Sequence, residues 1–188
     1  MNDVKIAGSG TISSGEYNLV SIAGSGKAIG DITCKLLKVA GSARFEGIIN
    51  SDEVSIAGSC KFLKDVKGNK IKVAGATVIE GNVSCEELRA DGDMKILGEC
   101  NVGTLKFEAE GGTFNNIYGD YIELKSKCGK KTQVNEIEAT TIEVRNIQAK
   151  RISGESVKVT GKSVIDIIEF KDNLKISDKV TVKQIIKL

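Results

Sequence analysis

The chain has 188 residues, of which 27 are basic and 25 acidic, giving a net charge of +2; 40% are apolar and 4% aromatic, and there is no histidine and no proline. The missing histidine removes the usual general base, the catalytic triads and most transition-metal sites. Near-balanced charge with so few aromatics argues against a nucleic-acid partner, and no apolar run approaches membrane length.

The first six elements share one unit, aligned on an apolar-x-apolar tripeptide: Val4/Ile6, Val20/Ile22, Leu37/Val39, Val54/Ile56, Ile71/Val73 and Leu88/Ala90. Alternation of this kind predicts a half-buried strand. Four residues after each first apolar position stands Gly8, Gly24, Gly41, Gly58, Gly75 or Gly92, which reads as a corner where the backbone is tight or left-handed. A second inward position follows at Ile12, Ala28, Phe45, Phe62, Ile79 and Ile96, and a third at Ile32, Ile49, Val66, Val83, Cys100 and Ile117. The series continues through Leu105/Phe107 and Ile122/Leu124. An insertion near Lys125–Val134 then precedes Ile142/Val144, Val157/Val159 and Leu174/Ile176. Successive steps are 16, 17, 17, 17, 17, 17, 17, 20, 15 and 17 residues.

A repeat this short means that each unit is one turn of a solenoid, burying its apolar side only against its neighbours. The predicted fold is an all-β, single-stranded β-helix of about eleven seventeen-residue coils with a triangular cross-section. At about 4.8 Å per coil it is a rod roughly 50 Å long. Residues 1–120 hold 18 of the 21 glycines, so residues 1–124 are expected to be the regular part and 125–188 a less regular continuation of the same helix.

No motif carries chemistry. The carboxylate pairs Asp52/Glu53, Glu86/Glu87 and Asp91/Asp93 read as solvated faces, and Gly8-Ser9-Gly10 and Gly24-Ser25-Gly26 as corners rather than phosphate loops. The five cysteines lack metal-site spacing and are expected to be reduced, so the expected location is cytoplasmic. No catalytic residue, cofactor or metal is expected. A β-helix acyltransferase would need an aliphatic residue every sixth position and a histidine, and a polysaccharide-acting β-helix would need groove-building loops.

Three features point outward. Between the two apolar columns lie Lys5, Ser21, Lys38, Ser55, Lys72, Arg89, Lys106, Glu123, Glu143, Lys158 and Lys175, a ladder with seven basic members. It reads first as a solubilising face that blocks lateral pairing, and second as a stripe for an acidic partner. Lys125, Lys127, Lys130 and Lys131 cluster on the insertion as a candidate partner-binding excursion. The ends, third, are expected to be uncapped and no signal peptide is expected: Met1-Asn2-Asp3 runs straight into the first coil, and the last residues are apolar to Leu188. Uncapped coils invite a second copy to continue the ladder, with Val4, Ile6 and Ile12 at one end and Val180, Val182, Ile185 and Ile186 at the other.

The runs from Val20-Ser21-Ile22-Ala23-Gly24 to Ile29-Gly30-Asp31-Ile32 and from Val73-Ala74-Gly75 to Glu80-Gly81-Asn82-Val83 resemble the repeating motif of the bactofilins, bacterial polymer-forming cytoskeletal proteins. The likeness is clear over residues 4–103 and weak after 120. It implies a right-handed β-helix that polymerises without nucleotide into non-polar filaments, often at the inner face of the membrane, and that organises cell shape or envelope. Family members typically carry a shorter core with disordered, Pro-rich tails; with no proline in these 188 residues, no such tail is expected here.

Overall fold

The computed structural model describes residues 2–127 and 129–188. Among these residues there are fifteen β-strands and no helix. In chain order they are β1 (Asn2–Ile6), β2 (Ser9–Ile22), β3 (Ser25–Val39), β4 (Ser42–Phe45), β5 (Ile49–Ile56), β6 (Ser59–Phe62), β7 (Val66–Val73) and β8 (Ala76–Ile79). Then come β9 (Val83–Ala90), β10 (Met94–Ala109), β11 (Gly112–Ser126), β12 (Thr132–Arg145), β13 (Ile147–Thr160), β14 (Val164–Ile176) and β15 (Thr181–Lys187). All belong to one continuous sheet, and every ladder is parallel, one coil pairing with the next.

Register follows the repeat. Val4 pairs with Val20, Val20 with Leu37, and the column runs unbroken through Val54, Ile71, Leu88, Leu105, Ile122, Ile142 and Val157 to Leu174. The Ile6 column reaches Ile176 in the same way. The third column starts Ile12, Ala28, Phe45, Phe62, Ile79, Ile96 and goes on past the regular repeats through Phe114, Val134, Ala149 and Ile165 to Val182. A fourth runs from Gly15 and Ile32 to Ile168 and Ile185. These columns form the core: Leu37, Phe45, Ile49, Leu88, Ile96, Leu105 and Ile122 are all fully buried. Each such side chain contributes on the order of 1.5–3 kcal/mol by leaving water. Phe45 and Phe62 stack at 4.8 Å with an 8° interplanar angle, whereas Phe107 and Phe114 meet edge to face at 5.3 Å. The chain is thus a parallel β-solenoid of about 11 turns.

The corner glycines serve close approach rather than left-handed backbone. None of Gly24, Gly41, Gly58, Gly75 and Gly92 has a positive φ. A Cβ at each would instead lie 1.8–2.2 Å from the carbonyl oxygen of the glycine one coil below. That oxygen accepts a ladder hydrogen bond, as when Ser59 N–H donates to Gly41 at 2.9 Å. Later coils replace this packing with side-chain bonds. Asn146 takes the left-handed φ of 55°, its amide donates to the Ser126 carbonyl at 2.8 Å, and its side-chain oxygen accepts from Lys162 N–H at 2.9 Å.

Candidate functional site

The head of the rod is built by β1 and the first half of β2. Val4 and Ile6 are partly buried against the core, and Ile12 is fully buried beneath its own strand. What is open there is backbone: β1 pairs only with Tyr17–Ile22, and Ser9–Gly15 pairs only upward with β3 among the described residues. Tyr17 closes part of this face. Its hydroxyl donates to the Ser13 carbonyl at 2.8 Å, and its ring lies 3.3–3.5 Å from where a Gly15 side chain would begin.

The tail is more apolar. Val180 and Val182 pack partly on the core and Ile186 is half-buried, but Ile185 is 51% exposed, Leu188 68% and Ile176 36%. Among the described residues, three of the five large exposed apolar side chains therefore sit on this one face. β15 pairs only with Val164–Phe170 of β14, and the Asn173–Ile176 stretch is covered only by β13 among the described residues.

The four lysines of the insertion do not form one group. Lys125 lies on β11 and is ion-paired with Glu123, whose hydrogen bond raises the ammonium pKa above its ordinary value. Lys127 is exposed, and its backbone N–H continues the ladder to Ala109 at 2.9 Å. Only Lys130 and Lys131 turn to another face, where they line a groove of about 530 Å³ together with Lys95.

The predicted outward ladder keeps its register from Lys5 to Lys175 and is balanced along much of its length. Lys72 pairs with Glu53 at 3.3 Å, Arg89 with Asp91 at 3.2 Å and Lys158 with Glu143 at 3.3 Å, while Lys106 lies 6.0 Å over the Tyr121 ring. A second basic ladder, Lys27, Arg44, Lys61, Val78 and Lys95, went unseen in the sequence because it falls one residue before the third apolar column. Glu46 joins Lys27 and Arg44 at 3.1 and 3.3 Å, and Glu80 joins Lys61 at 2.7 Å. Hydrogen bonds from these cations hold both carboxyls below their usual range. Further along, Arg151 bridges Glu136 and Glu169 across three coils.

Burial pushes the Cys60 and Cys85 thiols up to about 12, and Cys34 and Cys100 are raised by the same cause. These four are protonated thiols at neutral pH rather than nucleophiles; Cys128 lies outside the described residues. Among the described residues no group of three or more His, Cys, Asp or Glu could hold a metal ion, and no helix is long and apolar enough to cross a membrane.

Among the described residues the chain is a parallel β-solenoid with an unpaired strand edge at each end and three of its five large exposed apolar side chains at the tail, the class of β-solenoid rods. Residues 2–101, just over half of the sequence, match the family described as Bactofilin, polymer-forming cytoskeletal. The chain belongs to the bactofilin family, a polymer-forming cytoskeletal family. No curated protein and no solved structure matches it. The residues beyond the family match continue the same four columns without interruption of the sheet.

Proposed function

We propose that this bactofilin polymerises end to end through its first and last coils, as a non-catalytic scaffold in the cytoplasm. The observation that carries this is the tail face: Ile176, Ile185 and Leu188 are exposed beside an unpaired strand edge, the combination that another β-edge can cover. The head offers Val4 and Ile6 beside the open edges of β1 and β2. Strand pairing across the joint would use the same hydrogen bonds that join neighbouring coils, so no nucleotide is required. The scaffold role rests on the family's structural character and on a sequence without histidine.

Negative-stain microscopy and sedimentation of the wild type, Ile185→Lys and Ile6→Asp test the proposal, with circular dichroism to check that each variant keeps its sheet. Filaments from the wild type and folded protomers from both variants are expected. Filaments of undiminished length from the variants would show that the end coils are not the joint.

A further inference from the structure

The second basic ladder follows a pairing rule and then breaks it. Lys27 bonds Glu46 and Lys61 bonds Glu80, each an acid in the next coil, nineteen residues on. Those acids directly follow the third apolar column, after Phe45 and Ile79. In the next two coils the corresponding places after Ile96 and Phe114 hold Leu97 and Asn115. Lys95 is left without an ion pair among the described residues, where its ladder companions Lys27, Arg44 and Lys61 each have one.

The insertion adds charge at that same place. Lys130 and Lys131 flank the groove, and the Lys130 Cβ lies 3.3 Å from where a Gly111 side chain would begin, so the missing side chain lets the loop lie close. The groove's outward column runs Val78, Lys95, Thr113 and Gln133, one residue per coil. Ala76, Gly111 and Gly112 supply a floor of small residues above the buried Met94, and Asp93 is the one acid lining it among the described residues. Three strand spacings make this column about 14 Å long, the reach of about four extended residues.

We propose that this groove docks an extended acidic peptide segment of a partner protein, its carboxylates meeting Lys95, Lys130 and Lys131 and one apolar side chain lying on the floor of Ala76, Gly111 and Gly112. A recessed floor flanked by amines suits a narrow chain with charge on its edges. A lipid surface would need its cations on a flat or convex face, where they could all touch one plane. The site lies on the side of the rod and does not depend on the end coils.

The test is fluorescence anisotropy of the full chain with a labelled peptide of sequence Asp-Glu-Leu-Glu-Asp-Glu. Saturable binding should weaken about tenfold in Lys130→Glu/Lys131→Glu and again in Lys95→Glu. Raising salt from about 0.05 M to about 0.3 M should also weaken it. The control Lys5→Glu/Lys38→Glu removes as much charge from the other ladder and should change affinity by less than about twofold. Equal loss in the control would reduce the effect to net charge and overturn the proposal. So would the absence of saturable binding. Vesicles containing anionic phospholipid that bind through Lys130 and Lys131 while the peptide does not would overturn the assigned occupant.

Discussion

Replacing Gly58 with alanine would place a methyl carbon 1.8 Å from the carbonyl oxygen of Gly41, about 1.6 Å inside ordinary van der Waals contact. Neither partner is a flexible side chain, so the coils themselves must part. The bonds across that gap are Ser59 N–H to Gly41 at 2.9 Å and Ala57 N–H to Val39 at 2.8 Å. Losing both at this solvent-exposed corner costs about 0.5–1.5 kcal/mol each, and the overlap that remains adds about 1–3 kcal/mol of strain. The usual benefit of Gly→Ala, about 0.4–1 kcal/mol from a stiffer unfolded chain, offsets only part of this. A net loss of about 2–4 kcal/mol is expected, lowering Tm by roughly 5–15 °C for a chain of this size. Gly8→Ala is the control, because nothing lies within 4 Å of its added carbon; it should be neutral or stabilising by up to about 1 kcal/mol. Thermal melts followed by circular dichroism should be run in the Ile185→Lys background, so that assembly does not add to apparent stability. A Gly58→Ala protein that melts at or above its parent would refute the close-approach account of the corner column.

Phe62→Ala removes a fully buried ring stacked on Phe45 and should cost about 3–5 kcal/mol in urea unfolding; a loss below about 1 kcal/mol would mean the column collapses to fill the space. Thr77→Val should stabilise by about 1 kcal/mol, since the Thr77 hydroxyl is buried without a partner; a lower Tm would show that the hydroxyl is satisfied in solution. Glu46, Glu80, Glu87 and Glu169 all have carboxyl pKa values lowered by hydrogen bonds from basic side chains. Their contribution is complete above the ordinary carboxyl value of about 4.3 and is lost as pH falls through the lower folded values. Tm should therefore decline below about pH 4.5, and less steeply in Glu169→Gln; a flat profile to pH 3 would contradict the shifts. Cys34, Cys60 and Cys100 should resist iodoacetamide at about pH 8 until urea unfolds the rod, and labelling at the rate of a peptide thiol would show that the core opens.

The two perfect columns were legible because their residues are two apart in every coil, so no insertion could separate them. The later members of the third column were not: Phe114 follows Ile96 by eighteen residues, and Val134 follows Phe114 by twenty. Only the ladder itself shows that the shortened step to Ala149 restores the register. The corner glycines were correctly placed, but the physical reason was hidden, since a short contact between neighbouring coils and a left-handed backbone both select glycine. Lysine clustering in sequence misled at Lys125, because the strand continues through Ser126 before the chain leaves the sheet. Lys95 lies far from Lys130 in sequence, and only the stacked coils bring it to the same groove.

The covalent chain circles the rod, while the ladder hydrogen bonds run along its axis. Tension along the rod is therefore borne by hydrogen bonds and stacked side chains, with the peptide backbone lying across the pull. Force would be shared around the whole circumference of each coil, so the rod should resist stretching until one gap between coils yields all at once. Peeling is different, because it breaks a single ladder sequentially. β1 and β15, each paired on one edge only among the described residues, are the strands where mechanical unwinding should begin.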